Sequence, residues 1–164
     1  MSARRKIFKS ATASQNAVRE VLSLIFAQEL ISPSRDVFLV APWISNIVVF
    51  DNRLGEFATI NPEWGRREVR LVEVIVAVGS NGTKVHVHTR PETHNKQFEW
   101  RIKEAMSDAG VAERLHWQVD AMLHTKGLLT DRVCIDGSMN LTESGVALND
   151  EMVTVSYDPA DISA

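Results

Sequence analysis

The feature that most constrains the fold is an alternation of strand-like and helix-like segments between residues 36 and 89. Residues 36–41 contain the unbroken apolar run Val37-Phe-Leu-Val40, which is typical of a strand buried on both faces. Residues 84–89 alternate valine with polar residues and predict a second strand. Residues 68–79 favour a strand by their β-branched content, whereas their length and the turn residues that follow favour a buried helix. With a helix there, the order strand–helix–strand predicts an α/β fold.

Patterns in the rest of the chain extend this prediction. Helical spacing predicts helices at 14–30, 92–109 and 141–147, and strand-like runs lie at 114–119, 123–130, 132–135 and 151–157. Residues 45–66 follow neither period and predict a long loop. The basic residues at the start predict a mobile arm over 1–13. The length of the chain predicts that residues 1–164 form a single domain.

Composition excludes several classes of protein. A chain of 164 residues with 45% hydrophobic and 24% charged residues predicts a globular domain rather than a disordered chain or a coiled coil. The net charge of −3 means that any contact with nucleic acid must come from a local basic patch. The single cysteine, Cys134, excludes an intrachain disulfide. No apolar run is long enough for a membrane span, so we expect a soluble, cytoplasmic protein without stable membrane association.

Chemically useful side chains are concentrated in residues 124–140. His124 and Lys126 are two residues apart and share a face if residues 123–130 form a strand. A turn at Gly137-Ser138 would return Ser138 and Asn140 to the same place. An ammonium and an amide suit a phosphoryl group, and an imidazole can attack phosphorus or transfer a proton.

The pattern H-x-K, then Asp131, then G-S-x-N over 137–140 resembles the catalytic motif of the phospholipase D superfamily. This superfamily includes phospholipases, small endonucleases, phosphatidyl transferases and tyrosyl-DNA phosphodiesterases. Its pattern has a further carboxylate about 11 residues beyond the asparagine, and Glu151 stands 11 residues after Asn140. The run over 37–45 also resembles the first strand and turn of the family. The resemblance implies an α/β/α sandwich with a mixed central β-sheet, and therefore a helix at 68–79.

One spacing departs from the family pattern. Four residues separate Lys126 from Asp131, as in the family, but five rather than six separate Asp131 from Gly137. The hairpin is one residue short, which puts in question whether Asp131 is the equivalent of the family aspartate.

The resemblance also implies a mechanism. Family members use two motifs and this chain has one, so we expect a homodimer in which two copies form one active site. His124 would attack phosphorus to form a phosphohistidine, and Lys126 and Asn140 would neutralise the non-bridging oxygens. Ser138 would add a hydrogen bond, and Glu151 would accept one from His124. No metal or other cofactor is expected, because two lysines supply the charge that a metal would supply.

Gly137, Trp43 and Arg90 are predicted to bind substrate. Trp43 lies just past a predicted strand and would stack on a base, and Arg90 follows the strand over 84–89. His86 and His88 share a strand face, but no carboxylate or cysteine stands at ligand spacing, so no metal site is predicted.

Three functions remain open from the sequence. Basic clusters around the motif favour a nuclease that acts on DNA or RNA, which is the leading prediction. A phospholipid phosphodiesterase or phosphatidyl transferase would need an apolar loop, and 45–66 contains such residues: Ile47, Val48, Val49, Phe50, Leu54 and Phe57. The third function is a catalytically silent module that binds nucleic acid. The amino-acid sequence of residues 126–129 and 137–142 also resembles that of phospholipase D-like proteins in bacterial DNA-defence or DNA-modification clusters. This resemblance implies partner proteins of a defence system.

Overall fold

A mixed seven-stranded sheet organises the chain in the computed structural model, which describes residues 3–10 and 16–163. Its strands are β1 (Arg4–Lys9), β2 (Asp36–Val40), β5 (Lys84–Thr89), β6 (Leu115–Val119), β7 (Gly127–Leu129), β8 (Cys134–Gly137) and β9 (Glu151–Ser156). Their spatial order is β1-β9-β8-β7-β2-β5-β6. Strands β3 (Val48–Asp51) and β4 (Glu68–Arg70) form a separate two-stranded ribbon.

Strand direction brings several chain segments to one edge of the sheet. Strands β2, β5 and β6 are parallel, and pairing is antiparallel from β2 through β7, β8 and β9 to β1. Val40 at the end of β2 lies opposite Gly127 at the start of β7, and Gly137 at the end of β8 lies opposite Val153. The ends of β2, β5, β6 and β8 therefore meet the starts of β7 and β9. We call this side of the sheet the upper edge.

The helices complete the α/β architecture. Helices α1 (Ala17–Ile31), α2 (Leu71–Ser80) and α3 (Thr93–Asp108) pack against one another on one face of the sheet, and the short α4 (Pro159–Ile162) follows β9. Val37 and Leu39 of β2 are buried on the helical face, whereas Phe38 between them remains 37% exposed. The α/β fold with a mixed central sheet is confirmed.

Both tendencies of the segment 68–79 are realised in the structure. Glu68–Arg70 forms β4, and the apolar residues that follow form α2, whose side chains Leu71, Val74 and Ile75 are buried. The Glu73 carboxylate accepts a hydrogen bond from the Arg70 backbone N–H, which satisfies the start of the helix. The free energy gained by burying the apolar side chains of α2 against the sheet outweighs the preference of valine for β-strands.

The prediction of a mobile basic arm is wrong for residues 4–9, which form the edge strand β1. Ile7 and Lys9 are buried, and the Lys9 ammonium donates a hydrogen bond to the carbonyl of Asn149. The alternation of apolar and basic residues in this strand reflects its two faces rather than disorder. Residues 1–2 and 11–13 of the predicted arm, and the start of the predicted helix 14–30, lie outside the described residues.

Three further boundaries differ from the sequence predictions. The loop predicted over 45–66 contains β3, and Ile47–Phe50 are buried there, so these residues do not form an exposed apolar loop. The strand predicted over 123–130 is formed only at 127–129, so the preceding segment is irregular. A single π-helical turn at Ser144–Leu148 takes the place of the helix predicted over 141–147.

The corner formed by β1, β9 and α4 gives a test based on pH. Asp161 accepts hydrogen bonds from Arg4 and from the Ser156 hydroxyl, and these contacts lower the pKa of its carboxyl below the usual 3.8. A carboxyl with a lowered folded-state pKa stabilises the fold above pH 3.8, and this contribution is lost as the pH falls through the folded-state pKa. Asp161→Asn should therefore lower the thermal midpoint at neutral pH, with the difference from wild type shrinking below pH 3.8 in circular dichroism melts.

Glu56→Gln is the matched control, because Glu56 is exposed and forms no ion pair with any described residue. An equal loss of stability in both variants, or a difference that persists in acid, would contradict the role assigned to Asp161.

Candidate active site

The upper edge collects the predicted site residues from five parts of the chain. Trp43 follows β2, Arg90 follows β5, His124 and Lys126 precede β7, Ser138 and Asn140 follow β8, and Glu151 begins β9. Apart from Glu151, these residues lie on irregular backbone beside strand ends. Loop backbone at a rigid sheet edge is a common setting for binding and catalysis.

Trp43, Arg90, His124 and Asn140 form one contact group. Nη2 of Arg90 lies 3.0 Å from Nδ1 and 3.1 Å from Nε2 of His124. The Arg90 guanidinium carbon lies 5.8 Å from the centre of the Trp43 ring. The backbone N–H of Trp43 points to Oδ1 of Asn140 at 3.4 Å. The structure therefore brings these four predicted residues together.

The position of Arg90 affects what His124 can do. Nε of Arg90 donates a hydrogen bond of 2.7 Å to the carbonyl of Leu123, which fixes the guanidinium beside the imidazole. A guanidinium has donors only, so a ring nitrogen that bonds to it must carry a lone pair. Arg90 therefore holds a hydrogen-bond donor within 3.1 Å of both ring nitrogens of His124.

Lys126 lies beside the glycine of the second motif segment. Lys126, Gly137 and Met139 line one small crevice against Leu141 and Val153. Among the described residues, no carboxylate forms an ion pair with Lys126. Its charge is therefore available to an anionic ligand at the upper edge.

Ser138 and Glu151 contact each other rather than His124. The Ser138 hydroxyl donates a hydrogen bond to Oε2 of Glu151 and accepts one of 3.1 Å from the Met152 backbone N–H. The expected hydrogen bond from His124 to Glu151 is not found in the described part of the chain, where Arg90 contacts His124 instead. Within one chain Glu151 therefore positions Ser138, and its orientation of His124 stays a prediction.

Two glycines are needed for the close backbone packing around Ser138 and Asn140. A Cβ atom on Gly137 would lie 2.2 Å from the carbonyl oxygen of Met152. A Cβ atom on Gly145 would lie 2.3 Å from the carbonyl oxygen of Asn140. Both distances are far shorter than a van der Waals contact, so these positions require glycine. Gly137 thus has a structural role in addition to its predicted place in the binding site.

Asp131 is the one predicted catalytic residue that lies at the opposite end of the sheet. It follows β7, which runs away from the upper edge, and its carboxylate accepts a hydrogen bond of 3.0 Å from the Arg35 backbone N–H. Its own N–H donates to the Ser34 hydroxyl at 3.2 Å. Asp131 fixes the β7–β8 hairpin against the start of β2, so a direct catalytic role is wrong.

Asn95 was not predicted from the sequence, yet its amide connects both loops that carry the contact group. Its side chain is 2% exposed, and its Oδ1 accepts a hydrogen bond of 2.9 Å from the Ile44 N–H. Its Nδ2 lies 2.8 Å from the Pro42 carbonyl and 2.9 Å from the Arg90 carbonyl. The amide therefore holds the loop of Trp43 against the loop of Arg90. A lone asparagine in the first turn of a helix gives little sequence signal for such a role.

Charges near the upper edge differ in how far they are neutralised. Arg67 forms an ion pair with Glu73, and Arg70 lies 3.9 Å from Glu68, so this basic cluster is balanced by its own carboxylates. Partial burial opposes ionisation of Glu73, but hydrogen bonds from Arg67 and from the Arg70 backbone lower the pKa of its carboxyl overall.

Other nucleophiles and metal ligands contribute little at this edge. Burial raises the pKa of the Cys134 thiol, and nearby Asp136 raises it further, which favours the unreactive protonated form. His86 lies on the sheet face away from the long helices, bonded to Asp36 at 2.7 Å and stacked on Phe38. Within residues 3–10 and 16–163, no three His, Cys, Asp or Glu side chains are arranged to hold a metal ion.

Comparison with protein families identifies the class of the protein. Residues 56–164 match the family described as "Cardiolipin synthase, PLD-like domain". This match covers about two thirds of the sequence, so the chain belongs to this family of phospholipase D-like domains. The resemblance predicted from the motif is confirmed. No curated protein matches the sequence closely enough to be counted as a relative.

Solved structures show the same fold at low sequence identity. NucT from Helicobacter pylori is 14% identical with a TM-score of 0.59, and the match covers 98% of this chain and 89% of that one. Nuc from Salmonella typhimurium, a phospholipase D family member, is 13% identical with a TM-score of 0.58, over 97% and 88% of the two chains. The archaeal chromatin protein TrmBL2 is 12% identical with a TM-score of 0.51, over 97% of this chain and 48% of that one.

None of the described helices is long and apolar enough to cross a membrane.

Replacing Asn95 by alanine tests its role in holding the two loops together. Asn95→Ala leaves buried partners on Ile44 and Pro42 without hydrogen bonds, at a cost of roughly 1–3 kcal/mol for each unsatisfied group. Urea denaturation should show a loss of more than about 2 kcal/mol. Glu104→Ala, an exposed change on the same helix, should cost less than about 0.5 kcal/mol. Equal stability of the two variants would contradict the role of the amide.

Proposed function

We propose that this protein is a metal-independent phosphodiesterase that hydrolyses DNA or RNA, with His124 as the nucleophile. The observation that carries the proposal is the contact group, in which Arg90 lies beside His124 and Asn140 bonds to the backbone of Trp43. Lys126, two residues from His124, adds an ammonium that forms no ion pair with a described residue. Membership of the phospholipase D-like family supports phosphodiester chemistry. Arg90, Lys126 and Asn140 supply donors for the non-bridging oxygens of a phosphate.

The proposed reaction has two displacement steps. A lone pair of His124 attacks phosphorus, a P–N bond forms, and the P–O bond to the leaving group breaks. A second imidazole gives its proton to the leaving oxygen. That imidazole then takes a proton from water, the water oxygen attacks phosphorus, and the P–N bond breaks. The products are an alcohol and a phosphate monoester, and both histidines return to their starting states.

The second imidazole requires a second copy of the chain. The sequence contains one H-x-K tripeptide that is followed by G-S-x-N, at residues 124–126. The other H-x-K tripeptide, at 94–96, lies in helix α3, and no other histidine of the described residues joins the contact group of His124. A symmetric dimer in which the two upper edges face each other would supply His124 and Lys126 from both protomers. The irregular, exposed segment that carries His124 is accessible for such an arrangement.

The upper edge supports a nucleic-acid substrate. Trp43 is 39% exposed beside Arg90 and is available for stacking on a base. Domains of this fold also occur in TrmBL2, a chromatin protein with a described mode of DNA binding. Most of the apolar side chains that suggested a lipid-binding loop are buried around β3, although Leu54 is 80% exposed.

A phospholipid substrate is the second candidate, because the matching family is described by a cardiolipin synthase. Release of headgroups from anionic liposomes, together with inactivity on nucleic acid, would favour this candidate.

The decisive assay is cleavage of end-labelled single-stranded and double-stranded DNA and RNA in excess EDTA. Wild type should cleave at least one of these substrates, and His124→Ala should reduce the rate at least about 1,000-fold because the nucleophile is lost. His116→Ala is the matched control, since it removes an exposed imidazole from β6 outside the contact group. Full activity of His124→Ala, or a strict need for a divalent metal, would overturn the proposal.

The shared active site is tested by mixing wild-type protein with inactive His124→Ala protein under conditions of subunit exchange. With a ninefold excess of the variant, random assembly leaves about one tenth of wild-type protomers paired with each other. Activity per wild-type chain should then fall about tenfold if both histidines are required. Unchanged activity per wild-type chain would show that each protomer works alone.

A further inference from the structure

A second polar pocket lies beside the contact group of His124. It has a volume of about 240 Å³, and Ile44 and Phe98 form its apolar part. Six polar side chains complete it: Ser45, Asn46, Thr93, His94, Gln97 and Arg101. None of these lining residues is acidic, so an anionic group would meet no like charge among them. We call this cavity the α3 pocket, because four of the six polar residues belong to helix α3.

The α3 pocket and the predicted active site share one supporting framework. Ser45 lies two residues after Trp43, and His94 lies four residues after Arg90, so the same two loops carry residues of both sites. The buried amide of Asn95 joins these loops. A substrate that extends from the reacting phosphate along these two loops would reach the α3 pocket.

The donors in the pocket suit a phosphate group. Arg101 presents a guanidinium, which matches phosphate oxygens in a bidentate geometry. Nε2 of His94 lies 2.7 Å from the Ser45 hydroxyl, so each fixes the direction of the other. The pocket also includes Thr93 and His94 from the first turn of the 16-residue helix α3, where the helix dipole adds positive potential. Among the described residues no carboxylate hydrogen-bonds to His94, so the pair lacks the third group that orients a catalytic base.

The size of the pocket limits the ligand. A volume of about 240 Å³ is below the roughly 300 Å³ at which pockets for drug-sized ligands begin. It accommodates a phosphate with part of one nucleotide, but it is short and polar for a lipid acyl chain. A polar pocket of this size beside a phosphodiester site fits the next unit of a repeating, charged polymer.

We propose that the α3 pocket binds a phosphate that flanks the scissile one, through Arg101, Gln97 and the Ser45–His94 pair. This inference rests on the proposed action on nucleic acid and specifies how the polymer is held. Binding of the flanking phosphate makes the protein selective for substrates with at least two neighbouring phosphates. A substrate with a single phosphodiester lacks the second anchor.

The test combines a protein change with a matching change in the ligand. Anisotropy in EDTA measures binding of a labelled single-stranded oligonucleotide of about ten nucleotides to full-length His124→Ala protein, which prevents cleavage. A series of ligands replaces one phosphate at a time by a neutral methylphosphonate. Arg101→Gln, introduced into the same protein, should weaken binding of the all-phosphate ligand about tenfold. Lys103→Gln removes the same charge from α3 outside the pocket and is the matched control.

Direct contact predicts coupling between Arg101 and one phosphate position. At that position the methylphosphonate should weaken binding to the parent protein but add little to the loss in Arg101→Gln. Additive effects at every position, or equal losses in Arg101→Gln and Lys103→Gln, would overturn the α3 pocket while leaving the proposed nuclease intact. Absence of oligonucleotide binding by both wild type and His124→Ala would overturn the pocket together with the proposed function. Coupling between Arg101 and one phosphate position, without cleavage of nucleic acid by wild type, would support the α3 pocket and contradict the proposed hydrolysis.

Discussion

The buried amide of Asn95 is the interaction on which the upper edge depends. Two loops, at the ends of β2 and β5, have backbone groups that the sheet does not satisfy, and Asn95 bonds to Ile44, Pro42 and Arg90 there. Because an unsatisfied buried polar group is costly, these loops have one favourable arrangement. That arrangement holds Arg90 beside His124 and Trp43 beside Arg90, and the same two loops carry residues of the α3 pocket.

Sequence spacing predicts the part of the site that is encoded locally. His124 and Lys126 belong to one short segment, as do Gly137, Ser138 and Asn140, and the fold brings both segments to the upper edge. The family and the α/β sheet follow from this motif and from the strand–helix–strand order, and both are confirmed. Local patterns carry these features because residue spacing and hydrophobic period fix them directly.

Features that depend on contacts between distant segments could not be predicted in this way. The partner of Glu151 is Ser138 rather than His124, because the register of β8 with β9 places their backbones side by side. Asp131 has the correct residue type but lies at the far end of the hairpin. The basic residues at the start of the chain predict a mobile arm, because the sequence alone does not show that the apolar residues between them face the core. Only the pairing of β1 with β9 shows which of its faces is buried.

The pairing of β1 with β9 joins the first described strand to the last. Arg4 lies opposite Ser156, and buried Lys9 bonds to the carbonyl of Asn149, just before Glu151. During synthesis, the first strand therefore leaves the ribosome long before its partner exists. Closing a loop of this length is an entropically costly, late step in folding. A nascent chain therefore cannot complete the upper edge until β9 has been released from the ribosome.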